Sequence, residues 1–239
     1  MGIRDGLLKA LEDNKGGYLS GEALAGTLGV SRNAVWKAVQ ALRAEGYAID
    51  AASNRGYRLS VKNDILSPQG IEAYLRPLYR GLDITVLPLA SSTNAMLKEQ
   101  AAAGAPEGCT LIANEQTAGR GRLGRSFFSP SGTGIYLSLL LRPQHFSASQ
   151  AVRSTTMAAV AMCEAIEAVS GETAQIKWVN DIFISGRKVC GILTEASFDL
   201  ESGLLEYAVL GVGVNAYPPD GGFPEELKTI AGSVFPHPQ

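Results

Sequence analysis

Between Val61 and Pro68 the hydrophobic pattern of this chain loses its periodicity, and that break predicts a linker between two domains. Upstream, apolar residues recur at helical spacing. Ile3, Leu7, Leu8 and Leu11 predict a first amphipathic helix over Ile3–Glu12. A second begins near an N-cap at Ser20 and stops at a glycine turn at Gly29. A third, Arg32–Glu45, starts at an N-cap at Ser31, is expected to bury Val35, Trp36, Val39 and Leu42 on one stripe, and ends at Gly46. Two short helices joined at a glycine describe a helix-turn-helix. The runs Tyr47–Asp50 and Gly56–Ser60, around an Asn54-Arg55-Gly56 turn, read as the wing of a winged helix.

The basic and polar residues Ser31, Arg32, Asn33, Lys37, Arg43, Arg55 and Arg58 cluster in this short unit, the residue types that phosphate contacts require. A helical adaptor with no nucleic-acid role is the alternative. The net charge of -2 gives no global attraction to nucleic acid, so any DNA binding depends on this local surface.

After Lys62-Asn63-Asp64 and Ser67-Pro68 the pattern turns strand-like. The domain boundary is read near Asp64, giving 1–63 as a winged helix and 64–239 as a second domain. Strands are expected over Asp83–Leu87, Cys109–Asn114, Gly134–Leu141, Gln175–Trp178, Asp181–Ile184, Lys188–Ala196 and Tyr207–Val214, with helices over Thr93–Ala103 and Ala148–Ser170. That order fits an α+β layer of helices on a mixed, mainly antiparallel sheet.

Three patches in the second domain carry chemistry. The stretch Gly119-Arg120-Gly121-Arg122-Leu123-Gly124-Arg125 interleaves three glycines with three arginines between strand-like runs. Glycines allow close backbone approach and left-handed conformations, and each guanidinium presents a fixed fork of donors, so the loop suits an anion better than a plain solvated turn does. Ser91-Ser92-Thr93-Asn94 precedes a helix, where its hydroxyls cap the helix or receive a carboxylate. Lys177-Trp178-Val179-Asn180-Asp181 gathers an ammonium, an amide and a carboxylate at one turn, a set suited to phosphate and metal, although a lone strand lysine also serves simply to snorkel.

Cys109, Cys163 and Cys190 are widely spaced and have no CxxC partner or histidine cluster, so free thiols rather than zinc ligands are expected. The N-terminus lacks the apolar core of a signal peptide, and no apolar run is long enough for a bilayer span. A cytoplasmic protein with no membrane partner is the expectation.

Taken in order, Ser92-Thr93-Asn94, Gly119–Arg125, Lys177–Asp181, Gly191-Ile192-Leu193 and Gly211-Val212-Gly213-Val214-Asn215 resemble the bacterial biotin protein ligases that double as biotin operon repressors. The resemblance covers nearly the whole chain. It implies a class II synthetase-like catalytic domain that forms biotinyl-5′-adenylate from biotin and ATP and biotinylates a lysine of the biotin carboxyl carrier protein of acetyl-CoA carboxylase. Ser92, Thr93, Asn94, Gln116, Arg120, Gly121, Arg122 and Lys177 would surround biotin and the nucleotide phosphate, with Arg120, Arg122 and Lys177 as the catalytic cations. Phe127 and Asn215 would join Arg120 and Arg122 around the nucleotide, Asn215 facing the adenine, and Asp181 would stand near Mg2+. Ser31, Arg32, Asn33, Lys37 and Arg55 would contact operator DNA, bound by a ligand-promoted homodimer.

The resemblance has three departures. Val179 stands where the family turn has proline, and Phe127 where it commonly has tryptophan. Family members continue into a small C-terminal β-barrel, which this sequence is expected to lack or hold only in truncated form. A biotin-sensing repressor without transfer activity and a lipoate or octanoate transferase are the alternative readings.

Overall fold

A computed structural model describes residues 2–143, 148–198 and 203–237, in two compact units, Met1–Gly81 and Leu82–Pro238. In the first, α1 (Ile3–Asp13), α2 (Gly21–Leu28) and α3 (Arg32–Ala44) pack around Leu7, Leu8, Leu11, Leu24, Val35, Val39 and Leu42. Ser20 caps α2, its Oγ accepting from Ala23 N at 3.0 Å, and Gly29 closes that helix in the left-handed region at φ 64°. Ser31 caps α3 in the same way, accepting from Ala34 N at 3.2 Å.

The wing is a hairpin of β1 (Ile49–Ala52) and β2 (Gly56–Leu59), with Leu19 bridging to Tyr57 as a short third strand. Gly56 is required there: its φ is 97°, and a Cβ would fall on the backbone of Leu19 and Ser20. A further helix, α4 (Pro68–Tyr74), is capped by Ser67 and packs on α1, with Lys9 Nζ 3.2 Å from Glu72 Oε2.

One expectation about this unit fails. Trp36 is not part of the buried stripe; it is 50% exposed, and Ala38 takes the remaining core position beside Val35, Val39 and Leu42. At 100° per residue Trp36 falls about 100° away from Val35, the angle at which a helix leaves its core and meets solvent.

The second unit is a seven-stranded sheet in the order β3-β4-β5-β9-β8-β7-β6, formed by β3 (Ile84–Leu87), β4 (Thr110–Ala113), β5 (Gly134–Leu141), β6 (Gln175–Lys177), β7 (Asp181–Ile184), β8 (Arg187–Phe198) and β9 (Leu205–Asn215). Only β3 and β4 pair in parallel; every other neighbour is antiparallel.

Strand alternation sends successive side chains to opposite faces. Ile182, Ile192, Val212 and Val214 pack with Ala159 and Ile166 of α6 (Ala148–Ser170), whereas Leu111, Leu140 and Val209 pack with Leu97 and Ala101 of α5 (Thr93–Ala102). The two helices therefore cover opposite faces. Beyond the N-terminus of α5 the sheet surface over β5, β9 and β8 is left open for a site.

Among the described residues, no helix is long and apolar enough to cross a membrane.

Candidate active site

Three glycines make the floor of the cleft. Gly211 and Gly213 of β9 and Gly191 of β8 share the α5 face of the sheet, and Gly191 pairs directly with Gly213. A Cβ on Gly211 would fall on Asn94 Oδ1; one on Gly213 would lie 2.5 Å from Phe127 Cε1, and one on Gly191 3.1 Å from Phe127 Cε2. Bare backbone is needed here because side chains from above come down onto it.

Above this floor the polar groups are fixed by one another. Ser92 caps α5, accepting from Ala95 N at 3.4 Å. Gln116 Oε1 accepts from Thr93 N at 2.9 Å and its Nε2 donates to Ser129 Oγ at 3.0 Å, which sets the amide orientation. Fully buried Ser138 of β5 donates to Asn94 Oδ1 at 2.6 Å and lies 2.8 Å from Thr93 Oγ1. Asn94 Nδ2 in turn donates to Glu195 Oε2 at 3.1 Å and to Leu193 O at 3.3 Å. Ser92, Thr93 and Asn94 are all buried, so the helix start is a pre-set polar wall.

The glycine and arginine loop closes the rim. Phe127 N donates to Gly119 O at 2.9 Å and Gly121 N to Arg125 O at 2.7 Å, making a narrow loop with a 3-10 turn, Arg122–Gly124, at its tip. Leu123 at that tip has φ 56° and is 90% exposed. Gly119 has no room for a side chain, since a Cβ would strike Phe127 O and Ser129 Oγ. Arg122 Nη1 donates to Asn180 Oδ1 at 3.0 Å, and Arg120 Nη1 lies 3.9 Å from Glu195 Oε1.

Burial raises the affinity of Glu195 for its proton, but hydrogen bonds from Lys98 and Asn94 and the charges of Lys98 and Arg120 outweigh that, so its carboxyl lies below the ordinary range. It is an anion that orients the amide and one of the rim cations.

With the side chains of Asn94 and Phe127 seated on its floor, the cleft has a free volume of about 50 Å³. Ser92, Thr93, Asn94, Gln116, Arg120, Gly121, Arg122 and Phe127 all line it, together with Asn180 and Lys188.

Lys177 and Asn215 are not among the lining residues. Lys177 is exposed on edge strand β6, its ammonium 5.3 Å from the centre of the Phe183 ring. Asn215 ends β9 and donates to Gly232 O at 3.0 Å, fastening the segment that follows the sheet. Asp181, opposite Lys177 in the strand register, binds the Lys188 ammonium at 2.6 Å and accepts from Asn180 Nδ2 at 2.9 Å.

Sequence reasoning missed Lys188. Ile182 pairs with Cys190 while Phe183 pairs with Lys188, so Val189 is an extra residue in β8. This bulge lets Val189 and Cys190 both enter the α6-side core and turns Lys188 toward Gly191, whose Cβ position lies 3.2 Å from Lys188 Nζ. The lysine backbone is clamped as well: its N donates to Ile230 O and its O accepts from Gly232 N, both at 2.8 Å. Cys190 beside it is fully buried, and burial pushes its thiol up to about 12. All three cysteines are free thiols.

In the N-terminal unit, Arg32, Asn33 and Lys37 are exposed on α3, Ser31 is occupied as the cap, and Arg55 stacks on Tyr18 at 4.2 Å. Arg43 instead donates to Ile49 O, and Arg58 pairs with Asp50 at 2.6 Å while lying 4.9 Å above the same Tyr18 ring.

Residues 86–215 match the Biotin/lipoate A/B protein ligase family, and residues 4–58 match an HTH domain. A bifunctional ligase/repressor BirA of Bacillus spizizenii is 39% identical over 232 residues, which are 97% of this chain and 70% of that protein. A bifunctional ligase/repressor BirA of Escherichia coli is 34% identical over 84% of this chain and 60% of its own length. Among solved structures, the biotin protein ligase from Aquifex aeolicus in complex with biotin and ATP is 32% identical, with a TM-score of 0.52 over 64% of this chain and 59% of its own. The sheet with its glycine floor and arginine loop falls inside the matched 86–215 segment, and the relatives extend the likeness through the N-terminal helices, so the chain belongs to the Biotin/lipoate A/B protein ligase family, in the branch that carries an N-terminal HTH domain.

Proposed function

We propose that this chain activates biotin with ATP to biotinyl-5′-adenylate, transfers the biotinyl group to a lysine of the biotin carboxyl carrier protein of acetyl-CoA carboxylase, and represses transcription through its N-terminal domain. The observation that carries the reading is the cleft itself: a flat glycine floor, a buried hydroxyl and amide wall, and three cations, Arg120, Arg122 and Lys188, on one rim.

The floor seats Asn94 and Phe127 close to the sheet, the hydroxyl and amide wall suits a small polar ring, and the cations suit the joining of two anions. A biotin carboxylate oxygen attacks the α-phosphorus of ATP, the bond to the departing pyrophosphate breaks, and negative charge builds on the phosphoryl oxygens. Fixed guanidinium and ammonium groups stabilise that charge without reorganising. Each is worth on the order of 2 to 4 kcal/mol in the transition state, by analogy with one oxyanion donor. The acceptor amine then attacks the anhydride carbonyl and AMP leaves, so no nucleophile of the enzyme is required.

Lys188 is held on Asp181 until an anion competes for it. We assign Ser92, Thr93, Asn94, Gln116 and Gly121 to biotin and Phe127 to the nucleotide side, with Asn215 acting through its hold on Gly232. Magnesium would arrive on the triphosphate. No group of three His, Cys, Asp or Glu side chains gathers among the described residues, and one carboxylate, Asp181, fits an ion that keeps phosphate oxygens and water as its main ligands.

Closure of the Gly119–Arg125 loop over the adenylate would shield it from water and favour a homodimer that presents two winged helices to a palindromic operator. The chemistry belongs in the cytoplasm, where free thiols such as the three here persist.

The test is pyrophosphate release by the purified chain with biotin, ATP and magnesium. Release that requires biotin and does not occur with lipoate is expected, and no release with biotin would overturn the activation step.

A further inference from the structure

The recognition helix α3 contains three basic residues and no acidic one, yet the side chain that departs most from expectation on it is apolar. Trp36 is half exposed, whereas a tryptophan this close to a hydrophobic core ordinarily buries its indole. Its neighbours one turn away on the same face are Asn33 and Gln40, and Arg32 and Lys37 flank it. At 100° per residue, Asn33, Trp36, Lys37 and Gln40 share one arc opposite Val35, Ala38, Val39 and Leu42.

Resting on the reading of this unit as a DNA-binding domain, we propose that Trp36 reads a base edge, its indole packing against the 5-methyl group of a thymine in the major groove. Three observations select this occupant. Basic residues on both sides of the indole, joined by the wing's Arg55 and Arg58 over Tyr18, are complementary to a phosphate-lined partner. Trp36 lies in the N-terminal half of α3, the part of a recognition helix that reaches base edges, and Asn33 and Gln40 on the same arc have the amides that pair with adenine. Third, the thymine methyl is the one apolar feature a base pair offers in that groove, so an apolar side chain among polar readers has a single good partner there. The indole nitrogen stays free to donate to a neighbouring acceptor.

The experiment is selection from a pool of randomised duplexes, in the presence of biotin, ATP and magnesium, with the full chain and with Trp36→Ala, followed by titration of the enriched duplex with one thymine replaced by deoxyuridine. That replacement removes one methyl group and nothing else. The expected result is a motif with a fixed thymine that becomes degenerate at that position for Trp36→Ala. Deoxyuridine there should weaken the parent protein by about fourfold, what burying one CH₂-sized group supplies, and leave Trp36→Ala unchanged. In a Trp178→Phe background, which leaves Trp36 as the only tryptophan, its emission should change on adding the duplex.

An unchanged motif for Trp36→Ala, or equal loss with deoxyuridine in both proteins, overturns the assignment while leaving DNA binding intact. Failure of the parent protein to enrich any duplex overturns the DNA-binding reading and this inference with it. Emission that follows protein concentration but not duplex places the indole against a second copy of the chain instead.

Discussion

Lys188 Nζ stands 2.6 Å from Asp181 Oδ1 at the edge of a cleft whose other cations come from a single loop. The lysine is on a bulged strand and the aspartate on its neighbour, so their pairing holds an ammonium ready beside the glycine floor.

Lys188→Ala is accordingly expected to lower pyrophosphate release by on the order of 10²- to 10³-fold, the loss that accompanies one preorganised donor. Lys177→Ala, whose ammonium rests over Phe183, should stay within a few-fold of the parent. Equal losses for the two variants in single-turnover kinetics would mean that both ammonium groups reach the phosphate.

Gly213→Ala would put a methyl group 2.5 Å from Phe127 Cε1 and displace the ring from the floor. Nucleotide binding measured by calorimetry should weaken sharply. Because the clash is between these two residues, the effect of Gly213→Ala in a Phe127→Ala background should be much smaller, and strictly additive losses would show that the ring does not rest on the glycine.

Glu195 has a carboxyl held below its usual range, so its ionisation stabilises the folded chain above the unfolded value, about 4.3, and that contribution is lost as pH falls through the folded value. Thermal melts of the parent and of Glu195→Gln should differ most near neutrality and converge on acidification. A gap that widens toward low pH would contradict the network around Asn94 and Lys98.

Glu12 behaves in the opposite sense. Burial raises its carboxyl despite Lys15 Nζ at 3.6 Å, so the charged form is penalised in the fold. Its favourable contribution is present below the unfolded value and lost as pH rises through the folded one. Glu12→Gln should therefore melt higher than the parent at pH 7, with the advantage vanishing under acid. A lower melting temperature at neutrality would show that the Lys15 pair outweighs burial.

The sequence made the wall and the loop legible because their chemistry is local. A helix cap at Ser92 and alternating glycines and arginines from Gly119 to Arg125 keep their meaning wherever the chain goes. Lys188 was hidden because strand alternation assumes an unbroken register, and the extra residue Val189 reverses the face of everything on one side of it. Trp36 was misplaced for a related reason: a large apolar residue next to a core stripe is read as core, although the angle between neighbouring helix positions sends it outward. The cap of α4 at Ser67 lay in a stretch without periodicity, so the helix behind it left no signal in the pattern.

The glycine floor also bears on how such a site can change over time. Asn94 and Phe127 rest on the peptide planes of Gly191, Gly211 and Gly213, which are the same whatever the genome encodes, and the only heritable variation in that seat is loss of a glycine. Selectivity for a new acyl substrate must therefore be acquired from the surrounding side chains, in small steps, above a foundation that tolerates none.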